Sequence, residues 1–233
     1  MFNKLIKRYY LGTCLVFIFS TCVTSAIYAQ ELIVVNNYKT YKQQVKQDSL
    51  KKMVEVKTIV PGVIYDLRYG TLNNFLKQNL YRQNKITFLR LPVTRALARV
   101  QQELNEKGLT LKVWDAYRPY SVTVKMWEPI KDDRYVADPQ KGSGHNRGTA
   151  VDLTLVNKIT GEELNMGTGF DNFSDTAHQN FTGLPEEVLQ NRLLLKTTME
   201  KYGFIALQTE WWHFYWNKAN DFELLDINFK KLK

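Results

Sequence analysis

Residues 143–155 run Ser-Gly-His-Asn-Arg-Gly-Thr-Ala-Val-Asp-Leu-Thr-Leu, a histidine in a glycine-flanked turn followed by a short apolar strand that carries an aspartate. Side chains alternate across a strand, so Val151, Leu153 and Leu155 need a covered face while Ala150, Asp152 and Thr154 share the other. The chain therefore has to build a sheet packed on one side, with Asp152 on a wet face. Seven residues separate His145 from Asp152, which on an uninterrupted strand would put them on opposite faces. The turn at Asn146-Arg147-Gly148 lifts that restriction, because glycine lets the backbone bend sharply. A carboxylate in this setting needs a partner or a cation. An ion pair of Asp152 with Arg147, leaving His145 as a surface histidine, is one answer; a metal held by His145 and Asp152 is the other.

A second segment, Glu210-Trp211-Trp212-His213, adds another histidine with a carboxylate three residues ahead of it. Two histidines, one carboxylate and an open fourth position make the tetrahedral site of catalytic zinc, one ion per chain, which lowers the pKa of its water to about 7. Glu210 is the candidate base that takes the proton and later returns it to a leaving amine. Its spacing from His213 crosses the faces of a regular strand, so a bulge or tight turn is expected at Trp211-Trp212. The plain alternative is an aromatic core strand whose glutamate faces solvent.

The remaining chain reads as the scaffold for these segments. Residues 30–52 are polar and lysine-rich, an arm with too few apolar positions for a packed element. Val54, Val56 and Thr58 alternate as in a half-buried strand, ending at the Pro61-Gly62 turn. Pro92 opens a helix with Val93, Leu97, Val100 and Leu104 on one stripe and Gly108 as its stop. Leu109, Leu111 and Val113 form a strand that runs out at Trp114-Asp115-Ala116-Tyr117-Arg118-Pro119, leaving Arg118 at its end. A short helix over 121–128, a polar loop to residue 144, the strand 149–155 and an irregular loop over 161–174 follow. A helix from Pro185 to about Tyr202 has acids in its first turn, Lys201 in its last and Gly203 beyond it. Strands near 204–207 and 213–216 close the chain. The order predicts a single α+β domain over 53–233, with helices packed on a mainly antiparallel sheet that carries the metal site.

Length and composition agree with one such domain: 233 residues, 44% hydrophobic and 24% charged, suffice for one sizeable core. Residues 1–29, with Lys4, Lys7 and Arg8 ahead of the apolar run Leu11–Phe19 and small residues to Ala29, read as a secretory signal peptide, implying a periplasmic or secreted protein with no membrane span after cleavage. An uncleaved anchor and a lipoprotein attached through Cys22 are the minor readings. Both cysteines, Cys14 and Cys22, fall in that segment, so the mature fold rests on packing and not on disulfides. Loss of the three signal cations, with no acid among residues 1–29, lowers the net charge from +9 to +6. That charge suits anionic surroundings, but the basic residues are scattered and no recognition motif points to nucleic acid.

Four segments in order, Trp114 to Pro119, Ser143 to Asp152, Asn165-Met166-Gly167-Thr168-Gly169-Phe170-Asp171 and Glu210 to His213, resemble the zinc D-alanyl-D-alanine dipeptidases of the VanX type, members of peptidase family M15. The resemblance covers most of the chain from about Val56. It implies that His145, Asp152 and His213 bind zinc, that Glu210 is the catalytic base and that Arg118 steadies the oxyanion, for which a guanidinium held by a rigid proline is suited. An ion pair with Asp115 is the competing use of Arg118. The resemblance further implies that Asp171 receives the ammonium of a small peptide substrate and that Tyr69 and Ser143 line its pocket; a loop-capping role is the other reading of Asp171. One departure is Gly144, where the vancomycin-resistance dipeptidases carry serine, and the loop from Arg118 to His145 is shorter than theirs. The expected activity is hydrolysis of D-alanyl-D-alanine in cell-wall peptide turnover or salvage, with glycopeptide resistance as another setting the resemblance leaves open. The rivals are a zinc D,D-carboxypeptidase acting on longer stem peptides and a non-catalytic zinc module that binds wall peptides.

Overall fold

A computed structural model describes residues 32–81, 83 and 85–233; the expected signal segment lies outside these. The described chain begins with β1 (Val34–Val35) and α1 (Tyr38–Gln47). Residues 30–52 were expected to hold no packed element, and here the structure differs. The Asn37 side chain caps α1 by accepting from the backbone N–H groups of Lys39 and Thr40. Tyr41 is buried, and its hydroxyl accepts from the Met53 N–H at 2.8 Å. Two tyrosines thus do the packing that a count of aliphatic residues misses, since Tyr38 and Tyr41 stack at 5.9 Å.

After β2 (Met53–Glu55) the expected alternation breaks off: Val56–Thr58 is a 3-10 turn, which sends both Val56 and Val60 into the core instead of placing Val56 and Thr58 on a longer strand. Then follow β3 (Ile64–Tyr65), a 3-10 turn Arg68–Gly70, β4 (Phe88–Arg90) and α2 (Leu91–Glu106). Val93, Leu97, Val100 and Leu104 are all fully buried along the predicted stripe of α2. Each such aliphatic side chain contributes about 1.5–3 kcal/mol by leaving water. Gly108, with φ +71°, turns the chain after α2 as glycine can.

The chain continues through β5 (Leu109–Asp115), α3 (Tyr120–Ile130), the single turn α4 (Gly144–Arg147), β6 (Ala150–Asn157), α5 (Glu186–Lys201), β7 (Phe204–Ala206), β8 (His213–Trp216), β9 (Leu224–Leu225) and α6 (Phe229–Leu232). The main sheet has the order β3-β5-β6-β8-β7, parallel between β3 and β5 and antiparallel elsewhere. Two small pairs, β1 with β9 and β2 with β4, flank it. The expected α+β class with a mainly antiparallel sheet holds. On one face Leu111, Val113, Val151, Leu153 and Phe214 join α2 and α5 in the core. The other face carries the site.

Among the described residues no helix is long and apolar enough to cross a membrane.

Candidate metal centre and cleft

Ser143 accepts from the His145 N–H at 3.2 Å and Asn146 reaches back to the Ser143 N–H, a capping box that fixes the one-turn helix α4. Gly148, at φ +69°, then turns the chain into β6, where a side chain would strike Met53. Asp152 pairs across the sheet with His213 of β8, and the turn expected at Trp211-Trp212 precedes that strand. Its backbone is tied down on both sides: Leu153 N–H donates to Trp212 O, and Trp211 N–H to Ala177 O.

These turns bring His145, Asp152 and His213 together, with their donor atoms within 4.8 Å of one another. His145 Nε2 lies 3.2 Å from His213 Nδ1 and 3.3 Å from Asp152 Oδ2, and His213 Nδ1 lies 2.8 Å from Asp152 Oδ1. His145 Nδ1–H donates to Ala116 O at 2.7 Å, which leaves the Nε2 lone pair facing the other two donors. Bonds of about 2.0–2.2 Å to one tetrahedral ion would set such donors roughly 3.4 Å apart. The donor set and its spacing fit a divalent cation. Asp152 stands on a face that was expected to be wet, yet it is only 3% exposed. Burial alone would raise its pKa, but His145 and His213 outweigh that and hold it well below the usual carboxylate range. Arg147, its alternative partner, donates to Phe222 O instead.

Glu210 Oε2 lies 4.0 Å from His213 Nδ1. Burial pushes its carboxyl up to about 7, with Asp152 adding to the rise and His213 and Arg118 opposing it. Arg118 is buried, and here the competing reading is realised: its Nε and Nη2 donate to Asp115 Oδ2 at 3.0 and 2.8 Å. The pair does not withdraw Arg118 from the site, because the guanidinium still lines the cleft 4.0 Å from Asp152. A β-bulge makes this possible. Regular pairing would oppose Trp114 to Asp152, whereas the register shifts between Val113 and Asp115 so that Asp115 sits opposite Asp152.

Asp171 faces the same cleft, of about 440 Å³, as do Tyr69 and Ser143. The Tyr69 hydroxyl donates to Asp171 Oδ1 at 2.9 Å, while Oδ2 is buried without a hydrogen-bond partner. Burial drives the Asp171 carboxyl up to about 8, against the Tyr69 bond that lowers it. Ser143 lines the wall with its hydroxyl engaged in the α4 cap. A Cβ on Gly144 would meet the Ala150 methyl at 2.9 Å, so a serine at this position would crowd β6.

Residues 49–230 match the Peptidase M15 family, described as D-ala-D-ala dipeptidase. This chain belongs to that family. Among relatives, the D-alanyl-D-alanine dipeptidase of Escherichia coli (strain K12) is 35% identical over 178 residues, covering 76% of this chain and 91% of that protein. That of Enterococcus faecalis (strain ATCC 700802 / V583) is 32% identical over 173 residues, covering 66% and 85%. That of Streptomyces coelicolor is 31% identical over 179 residues, covering 68% and 88%.

One residue of this M15 peptidase escaped the sequence reading, and another was read only as a rival. Asp115, weighed as a competing partner of Arg118, is fully buried and anchors it within the cleft. The Tyr81 hydroxyl donates to Asp115 Oδ1 at 2.7 Å. Tyr81 lies in a loop 34 residues away and carried no signal.

Proposed function

We propose that this cleft holds one zinc ion and hydrolyses the D-alanyl-D-alanine dipeptide to free D-alanine. The observation that carries the reading is the convergence of two imidazoles and a carboxylate beside the half-buried Glu210, in a cleft that also presents Arg118 and Asp171. Membership of the D-ala-D-ala dipeptidase family supports it. His145 Nε2, His213 Nδ1 and Asp152 would hold the ion, nitrogen and oxygen donors that suit zinc. An ion held there would supply Lewis acidity toward the scissile carbonyl and a more acidic water.

Glu210 accepts the proton of the attacking water and delivers it to the leaving amine, work for which its place 4.0 Å from His213 Nδ1 suits it. Arg118, oriented by Asp115, faces the charge that develops on the carbonyl oxygen. Asp171 receives the substrate ammonium on its unpartnered Oδ2, Tyr69 orients that carboxyl, and Ser143 forms part of the wall. The reading of residues 1–29 as an export signal supports a periplasmic or secreted setting, hence turnover or salvage of wall-derived dipeptide. The test offers mature protein of measured metal content D-Ala-D-Ala, L-Ala-L-Ala and a stem pentapeptide side by side. Cleavage of the D,D dipeptide with one zinc per chain is expected. Cleavage of the L,L peptide alone would overturn the stereochemistry, and preference for the pentapeptide would make the protein a D,D-carboxypeptidase.

A further inference from the structure

Four aromatic rings meet in a chain beside Asp171. Tyr69 contacts Phe75 with ring centroids 6.2 Å apart, Phe75 contacts Phe173 at 5.4 Å, and Phe173 contacts Tyr135 at 4.8 Å. The two ends of this chain of rings, Tyr69 and Tyr135, line the cleft, and the two middle members bridge them from behind. Phe173 follows Asp171 by two residues, and Asp171 itself has a left-handed φ of +58°. The loop that carries Asp171 is therefore joined through one phenylalanine to the loop over 132–136 on one side and to the loop over 73–77 on the other.

This arrangement bears on substrate length. With the scissile carbonyl beside His145, Asp152 and His213 and the ammonium at Asp171, a dipeptide ends at Asp171. A further residue on its amino side would replace the ammonium by an amide and extend past Asp171 toward the rings. We propose that Phe75, Phe173 and Tyr135 form a clasp that closes this end of the cleft and excludes peptides longer than two residues. The charge of Asp171 rewards a free amine, and the clasp removes the space for anything beyond it; discrimination is sharpest when a favourable contact and an obstacle act together. The inference rests on the dipeptidase reading, because it takes Asp171 as the ammonium site.

The experiment measures kcat/KM for D-Ala-D-Ala and for the tripeptide L-Ala-D-Ala-D-Ala in the zinc-loaded wild type and in Phe173→Ala, Phe173→Leu and Tyr135→Ala, with metal content and Tm of each. The tripeptide-to-dipeptide ratio should rise at least tenfold in Phe173→Ala and in Tyr135→Ala, and less in Phe173→Leu, which keeps more of the apolar bulk. Should Phe173→Ala fail to fold, Tyr135→Ala decides alone. A dipeptide-selective wild type whose ratio is unchanged in the folded variants overturns the clasp and leaves the dipeptidase reading standing. A wild type that cuts the tripeptide as readily as the dipeptide also overturns it. A zinc-loaded wild type that hydrolyses neither peptide, with no tripeptide cleavage gained in the variants, removes the dipeptidase reading and the clasp with it.

Discussion

Asp152, buried, and Asp171, half-buried with its Oδ2 covered, face one cleft, and they are held in opposite ways. Asp152 stands mid-strand on β6, with His145 and His213 against both oxygens, and its pKa is driven down. Asp171 stands on a loop at positive φ, with one oxygen bonded to Tyr69 and the other unpartnered, and its pKa is driven up to about 8. The first is a donor whose partners are built into the sheet. The second is left incomplete, as a group is when its partner arrives with the substrate. The strand thus carries the carboxylate whose partners are already in place, and the loop carries the one with an open oxygen.

The sharpest way to test that division begins at Glu210, which lies beside the donors without belonging to them. Glu210→Gln should lower kcat by roughly 10²–10⁴-fold, the range for a lost general acid–base. Metal content by elemental analysis should stay at one per chain. Undiminished turnover would place the base elsewhere.

Asp171→Asn should lower kcat/KM for the dipeptide by roughly 10–100-fold, the worth of one hydrogen bond to a charged group, again with metal retained. The same variant tests the incompleteness of Asp171 through stability. A carboxyl whose folded-state pKa lies above its ordinary value contributes stability at low pH, and that contribution is lost as pH rises through about 8. Metal-free Asp171→Asn should therefore melt higher than metal-free wild type at pH 9, and the gap should close toward pH 4. An equal gap at both pH values would show that Asp171 is already satisfied.

The smallest effect is expected at Tyr81. Tyr81→Phe leaves Asp115 Oδ1 without its donor and should reduce kcat about 2–10-fold through a looser Arg118, with KM little changed, and cost about 1–3 kcal/mol of stability by denaturant unfolding. A loss confined to KM would remove Tyr81 from the support of Arg118.

The same contrast explains what the sequence discloses. The convergence of His145, Asp152 and His213 was legible because strand alternation and glycine turns are local rules, and the α2 stripe and the strands β5, β6 and β8 followed from them. What escaped depends on distant partners. α1 is held by Tyr41 bonding to Met53, and β1 by β9 at the far end of the chain. The burial of Asp152 and the Tyr81 contact to Asp115 likewise come from segments packed over the sheet, which periodicity does not encode.

The bulge in β5 has a consequence for distance. Trp114 and Asp115 would face opposite ways on a regular strand, yet Asp115 fixes Arg118 while Trp114 meets Phe170, the neighbour of Asp171, with ring centroids 5.1 Å apart. One peptide unit therefore links the anchor of Arg118 to the packing behind Asp171. It acts as a ruler between the two side chains, so the spacing of the guanidinium and the carboxyl is set by the backbone of β5 and not by the loops.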